Sequence, residues 1–202
     1  MQIALPELTS TATLVLDREH GVSLDAYLAF CEANPDLRLE RTAQGEIVIV
    51  PPAGGESDHR CVDAIYQLVG WARKDRRGKA FGSSVEFILP NGAALSPDAA
   101  WVSNARLATL TKEQRKQFLR VVPEFVVEVL SPSDRLKEAQ RKMLEWLANG
   151  VELAWLIDGD SRCVHVYRQG CEPTVCSGIE TLAGEGPVEG FVIELAEIWE
   201  GL

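Results

Sequence analysis

The 202-residue sequence lacks any apolar run long enough to cross a bilayer. Its longest apolar runs, residues 26–31 and 153–157, fall far below the roughly 20 residues of a membrane-spanning helix. The first 16 residues also lack the basic start of a secretory signal. Five cysteines form no Cys-x-x-Cys pair, and their odd number leaves at least one unpaired. We therefore expect a cytoplasmic protein with reduced thiols and no membrane partner.

Several motifs of common enzyme classes are also missing. The sequence contains no phosphate-binding P-loop, no glycine fingerprint of a dinucleotide site, no cluster of zinc ligands and no Gly-x-Ser-x-Gly elbow. These absences exclude nucleotide hydrolases of the P-loop type, dehydrogenases of the Rossmann type and serine esterases.

Basic residues are scarce. Twenty Lys and Arg stand against thirty Asp and Glu, so the net charge is −10, which argues against a generic nucleic-acid binder. Two basic clusters, residues 73–79 and 112–120, are either solvated helix surface or contacts to a phosphate backbone. An excess of acids is also compatible with carboxylates gathered around a metal ion.

The hydrophobic pattern predicts a mixture of helices and strands without strict alternation. Helices are expected over residues 24–33 (capped by Ser23), 58–74, 111–119, 131–150 and 195–199. Strands are expected at residues 37–39 and 47–50, at 84–89 and 95–103 as a hairpin, and at 125–130, 153–158 and 163–168. The helix over residues 58–74 is expected to bury Val62, Ile65, Tyr66, Val69 and Ala72. The fold class is α/β (α+β), with a central mixed β-sheet flanked by helices. Residues 1–22 are expected to form an arm, and residues 23–202 a single domain.

Two acids lie in unusually apolar surroundings. Glu128 interrupts the apolar run of residues 125–130, and Asp98 follows Pro97 in a stretch of small and apolar residues. A buried lone carboxylate is costly unless it is paired or binds a metal ion. Taken alone, each acid is better explained by a structural role, Asp98 as a polar strand end and Glu128 in a salt bridge within the fold.

A lysine on the following helix is a third candidate. Lys142 lies at the edge of the helix's apolar stripe, four residues before Trp146. Because the helix follows the Glu128 strand after a short connection, Lys142 can return over that strand. Its alternative is a lysine whose aliphatic stem covers Trp146.

The combination of Asp98 after a proline, Glu128 in an apolar strand and a lysine resembles the PD-(D/E)XK nuclease superfamily. Several blocks of sequence resemble its Uma2 family, also called DUF820. These blocks are residues 34–42 (NPDLRLERT), 51–56 (PPAGGE), 96–103 (SPDAAWVS), 128–134 (EVLSPSD) and 149–158 (NGVELAWLID). The resemblance implies a restriction-endonuclease-like core. The superfamily places a lysine two residues after the acid, where this chain has Leu130, so the resemblance implies that Lys142 takes its place.

The resemblance also implies site residues, a cofactor and a substrate. Asp98 and Glu128 would bind Mg²⁺ or Mn²⁺, and Lys142 would assist the attacking water. Further acids of the family pattern match Glu40, which either completes the metal site or faces solvent on a hairpin edge, and Glu56 in a Gly-rich loop. His59 is a further candidate, as a base or a supporting residue. The implied function is an endonuclease that hydrolyses phosphodiester bonds of DNA, as a homodimer.

Two other functions stay open at this point. The net acidity and the displaced lysine also suit a non-catalytic module that binds nucleic acid or protein on the same fold. Two acids and a divalent ion would also serve a hydrolase of other phosphoesters, since nothing in the sequence indicates recognition of bases.

Overall fold

The computed structural model describes residues 11–14, 20–131 and 135–202. The described helices are α1 (Leu24–Ala33), α2 (Gly55–Asp75), α3 (Asn104–Ala108), α4 (Leu136–Ala148) and α5 (Ala196–Glu200). The described strands are β1 (Ala12–Leu14), β2 (Arg38–Arg41), β3 (Ile47–Val50), β4 (Gly78–Gly82), β5 (Phe87–Ile88), β6 (Ala94–Leu95), β7 (Ala99–Ser103), β8 (Phe125–Val129), β9 (Leu153–Asp158), β10 (Cys163–Arg168), β11 (Thr174–Ser177), β12 (Thr181–Ala183) and β13 (Val192–Glu194).

A six-stranded sheet forms the centre of the molecule, in the order β11-β10-β9-β8-β7-β4. Strands β8 and β9 run parallel, with α4 connecting them, and the other neighbours in this sheet run antiparallel. The expected mixed sheet flanked by helices is thereby confirmed. In the part of the chain that the structure describes, no helix combines the length and apolar character that crossing a membrane requires.

The two faces of this sheet carry different layers. Along β8, Phe125, Val127 and Val129 pack into the core that includes α2 and α5. Val126, between them, packs into the second core with Met143 and Trp146 of α4. Because side chains alternate along a strand, Glu128 points to the same face as Val126, toward α4.

A second sheet of five strands, β1-β3-β2-β6-β5, adjoins the α4 side of the molecule. Helix α1 covers it, with Tyr27 and Phe30 buried against β2 and β3. The Ser23 side chain caps α1 by accepting a hydrogen bond from the Ala26 N–H at 3.2 Å, as its position predicts. The predicted hairpin of β2 and β3 is also present. Of the predicted arm, residues 12–14 form β1, and residues 1–10 and 15–19 lie outside the described residues.

The hairpin predicted for residues 84–89 and 95–103 is wrong in its second half. Strand β5 pairs with the two-residue strand β6, and the chain then passes through Pro97 into β7, which pairs with β4 and β8 in the large sheet. Proline has no N–H to donate to a ladder, so a continuous strand through this residue is disfavoured. The division between the two sheets falls directly before Asp98.

Two helix predictions also need correction. Thr111 and Gln114 form the predicted capping box, with N–H to side-chain distances of 2.8 and 3.2 Å. Only one 3₁₀ turn follows, because Leu119 instead bonds to the backbone of Glu86 and Ile88. The helix after Glu128 begins at Leu136, and Arg135 at its N-cap makes no side-chain cap. The predicted cap falls largely on residues 132–134, which lie outside the described residues.

The apolar stripe predicted for α2 is displaced around the helix. Val62 and Tyr66 are 54% and 74% exposed. The buried side chains of α2 are Ser57, Arg60, Cys61, Ala64, Leu68 and Ala72, so the prediction holds for Ala72, and for Ile65 in part, since Ile65 packs half-buried against the core. Mainly small residues at four-residue spacing allow the helix to lie close to the sheet, so burial follows their face rather than that of the larger side chains. This places Cys61 toward Asp98 and Glu128.

Candidate active site

A cavity of about 220 Å³ opens where the two sheets, α2 and α4 meet. Four of the six candidate residues line it: Glu40 on β2, Asp98 just before β7, Glu128 on β8 and Lys142 on α4. The structure thus brings together side chains that lie up to 102 positions apart in the sequence. Their catalytic roles stay predictions.

Lys142 lies at the centre of this group. Its Nζ is 2.9 Å from Glu40 Oε1, 3.0 Å from Glu128 Oε1 and 2.9 Å from the carbonyl oxygen of Ser96. Met143 and Trp146 anchor α4 in the core, so the neighbouring Lys142 is directed back over β8. Burial lowers the pKa of its ammonium group, but the charges of Glu128 and Glu40 outweigh burial and raise it above the ordinary value. Lys142 is therefore a cation at neutral pH.

Glu128 is buried, with 9% of its surface exposed. Its Oε1 accepts a hydrogen bond from the indole N–H of Trp146 at 3.0 Å, in addition to the contact with Lys142. Burial raises the pKa of Glu128 to about 7, and the nearby charges of Asp98 and Glu40 add to this, while Lys142 opposes it. The single ammonium group does not fully compensate the acids around it.

Asp98 is held by the backbone of the neighbouring strand. Its Oδ2 accepts a hydrogen bond from the Val129 N–H at 2.8 Å. Burial raises the pKa of this carboxyl, and the bond from Val129 and the charge of Lys142 oppose the rise. The Cys61 thiol also bonds to Asp98, and burial together with the nearby acids raises the pKa of that thiol, so it stays protonated.

Glu40 does not face solvent, so that alternative for it is wrong. It is 7% exposed, and its Oε1 accepts bonds from the Ser96 N–H at 3.1 Å and from Lys142. Ser96 therefore binds Glu40 through its N–H and Lys142 through its carbonyl oxygen. This arrangement fixes the position of the ammonium group between the two glutamates.

Glu56 and His59 lie apart from this group. Glu56 stands in the first turn of α2 rather than in a loop, and its Oε1 is 2.7 Å from Arg60 Nη2. Neither Glu56 nor His59 lines the cavity. The structure does not bring these two residues together with the acids.

Three contributors to the site were not identified from the sequence: Arg38, Cys61 and Trp146. Arg38 lines the cavity two residues before Glu40, and its charge lowers the pKa of Asp98. The spacing of Trp146, four residues after Lys142, is the one signal that could have indicated its bond to Glu128. The sequence around Cys61 does not distinguish it from the other small apolar residues of α2.

The donor set suits a divalent cation in part. Asp98 and Glu128 are hard oxygen donors in one cavity, and burial raises the pKa of both because it disfavours the charged carboxylate. Over residues 11–14, 20–131 and 135–202, no group of three or more His, Cys, Asp or Glu side chains could hold a metal ion. This excludes a closed cage of protein ligands there, but it fits Mg²⁺, which commonly uses one or two carboxylates and keeps several waters.

Comparison with known proteins shows a nuclease-like fold and family. A model of the Uma2 family, described as "Putative restriction endonuclease", matches residues 24–196, and the chain belongs to this family. A crystal structure from Anabaena variabilis ATCC 29413, described as "a putative nuclease belonging to DUF820", shares the fold with a TM-score of 0.73. It is 20% identical, and the match covers 89% of this chain and 98% of that chain. No protein with a curated description matches this sequence.

Proposed function

We propose that this protein is a metal-dependent endonuclease that hydrolyses phosphodiester bonds of DNA. The observation that carries the proposal is the position of Lys142 Nζ, within 3.0 Å of both Glu40 and Glu128, in a cavity that Asp98 also lines. Acidic side chains and a cation that line one cavity are the groups that metal-assisted phosphoryl transfer requires.

Asp98 and Glu128 are the proposed ligands of Mg²⁺ or Mn²⁺. When bound, the ion supplies polarisation of the phosphoryl group and a water of lowered pKa. The chain's own contribution is orientation. The Val129 N–H holds one oxygen of Asp98, and the Trp146 indole holds one oxygen of Glu128. Fixed carboxylates would bind the ion without further rearrangement.

Lys142 is proposed to act as a positive charge rather than as a base. Because its pKa is raised, it keeps its proton at neutral pH and cannot accept another. Its ammonium group would orient the attacking water and stabilise the negative charge that develops on the phosphate. Glu40 and Ser96 hold the ammonium group in place and so act as positioning residues.

The test is metal-dependent cleavage by the wild type and by Asp98→Asn, which keeps the size of the side chain. Plasmid, single-stranded DNA and RNA would be incubated with Mg²⁺, Mn²⁺ or EDTA. We expect metal-dependent cleavage of DNA that Asp98→Asn abolishes, and Asp25→Asn on exposed α1 surface is the matched control. Equal activity of wild type and Asp98→Asn would refute the proposed site.

A non-catalytic binding module is the second candidate. The observation in its favour is that Lys142 already neutralises oxygens of Glu40 and Glu128, as a purely structural ion-pair network would. Calorimetry distinguishes the two, because the nuclease binds Mn²⁺ with Asp98-dependent affinity. Absence of both metal binding and cleavage would favour the module.

The proposal also includes a quaternary state and a location. We expect a homodimer, since two copies of one site can cut both strands of a duplex. We also expect a cytoplasmic protein. Sedimentation of the purified chain, with and without duplex DNA, measures the first expectation.

A further inference from the structure

A second and larger cavity, of about 940 Å³, lies beside the candidate active site. Arg38 lines both cavities. Ser96 lines the second cavity and also binds Glu40 and Lys142 of the first. The two cavities therefore adjoin at Arg38 and Ser96, and Ser96 bonds directly to Glu40 and Lys142.

The lining of the second cavity combines apolar and basic side chains. Phe81 and Phe118 are half-buried aromatic residues of its wall, with aliphatic residues around them. Arg115, Lys116 and Arg120 also line it, on the segment that follows α3 and that carries Phe118. Aromatic rings beside a basic groove are the usual composition of sites for single-stranded nucleic acid, where bases stack and phosphates meet cations.

Arg38, at the junction, has an unused hydrogen-bond donor. Its Nε is buried, and within the part of the chain that the structure describes this atom has no hydrogen-bond partner. A buried donor without a partner is unfavourable, and a ligand bound at the junction of the two cavities would satisfy it. The planar guanidinium group matches a phosphate, which can accept two parallel bonds from it.

The charge of this cavity differs from that of the whole chain. The chain carries −10, yet the cavity is lined by four basic residues, against three acids, Glu32, Asp36 and Glu86. Glu86 is 5% exposed, and its Oε1 accepts a bond from the Tyr27 hydroxyl at 2.5 Å. The basic residues outnumber the acids, and Glu86 is buried against Tyr27. The cavity therefore offers an anionic strand a locally favourable surface on an otherwise acidic protein.

We infer that the second cavity binds unpaired nucleotides of the strand whose phosphodiester lies at Asp98, Glu128 and Lys142, with Arg38 binding the phosphate between the two cavities. This inference rests on the proposed function and specifies its substrate as a strand with an unpaired segment. A duplex stacks its bases internally and could not present them to Phe81 and Phe118, whereas a single strand or a frayed end can. The volume lies at the upper end of the usual range for small-ligand pockets, about 300–1,000 Å³.

The test measures binding without cleavage. Fluorescence anisotropy with a labelled single-stranded oligonucleotide, and with the same sequence as a blunt duplex, would be recorded in EDTA. We expect the wild type to bind the single strand more tightly than the duplex. Phe118→Ala and Arg38→Gln should each raise the Kd for the single strand about tenfold, since loss of one stacking or phosphate contact has this order of effect.

Matched variants separate binding from misfolding. Phe118→Trp keeps an aromatic face and should retain affinity. The double variant Arg73→Gln/Lys74→Gln removes two exposed charges at the end of α2, outside both cavities, and should change the Kd little. Equal affinity for duplex and single strand, an unchanged Kd in Arg38→Gln and Phe118→Ala, or an equal loss in the α2 double variant would overturn the inference.

The two proposals fail differently. If Asp98→Asn abolishes cleavage while Arg38→Gln and Phe118→Ala bind the single strand normally, the nuclease stands and the second cavity is not its strand-binding site. If the cavity variants lose binding while the wild type cleaves nothing, the cavity binds nucleic acid and the proposed catalysis fails.

Discussion

Glu128 and Glu86 are two buried glutamates with similar burial and different surroundings. Burial raises the pKa of each to about 7. Glu128 contacts the ammonium group of Lys142 and lies near a second acid, Asp98. Glu86 instead accepts a bond from the neutral hydroxyl of Tyr27. A raised pKa is thus common to both, and what distinguishes the candidate active site is the convergence of several charges on one cavity.

Removal of the cation should have the largest effect. Lys142→Met should lower the cleavage rate about 10²- to 10³-fold, because one preorganised electrostatic contact to the transition state is lost. The measurement is single-turnover cleavage in Mn²⁺, with Lys137→Met on exposed surface of the same helix as the control. A rate unchanged in Lys142→Met would mean that its ion pairs are only structural, like the contact between Glu86 and Tyr27.

Trp146→Phe should affect both activity and stability. It removes the donor to Glu128, and Trp146 is fully buried, so we expect a loss of about 2–4 kcal/mol in the free energy of unfolding. Cleavage should also fall about tenfold because Glu128 loses its fixed orientation. The control is Trp155→Phe, in the aromatic cluster of the core on the other face of the large sheet. It should reduce stability without reducing activity. Equal activity losses in both variants would contradict this role.

Glu86 should make stability depend on pH. Its folded pKa of about 7 lies above the ordinary value of 4.5, so the folded state binds the proton more tightly. The contribution of protonated Glu86 to the free energy of unfolding is fully present below pH 4.5 and is lost as pH rises through 7. Between pH 5 and 7 this contribution falls by about 2 kcal/mol. Urea unfolding of wild type and Glu86→Gln over this range measures it. Glu86→Gln should become more stable relative to wild type as pH rises. If the free energies of unfolding of the two proteins changed in parallel with pH, the raised pKa of Glu86 would be contradicted.

The smallest effect is expected at His59. It lies outside the cavity, so His59→Gln should retain cleavage activity within about twofold. The measurement is the same single-turnover assay used for Lys142. A large loss would place His59 in the reaction, by a contact that this structure does not contain.

Local pattern was sufficient for much of the fold. The capped helix α1, the hairpin of β2 and β3, and strands β8, β9 and β10 follow from short-range periodicity and turn residues, and all are present. The path of residues 95–103 and the short turn after Thr111 could not be predicted in this way. Both depend on which distant strand offers its edge, and that competition is decided by packing.

By itself, the sequence identified the family through its resemblance to known blocks. It also indicated Asp98 and Glu128 as candidate site residues, because acids in apolar surroundings are costly unless a partner or a ligand compensates them. Only the tertiary structure decided that Lys142 lies between Glu128 and Glu40, and that Arg38 joins two cavities. Glu40 and Lys142 are separated by 102 positions, and no local rule relates them. Their contact exists because two sheets and a helix pack at one junction. A charge buried there is costly unless a group of opposite charge lies beside it.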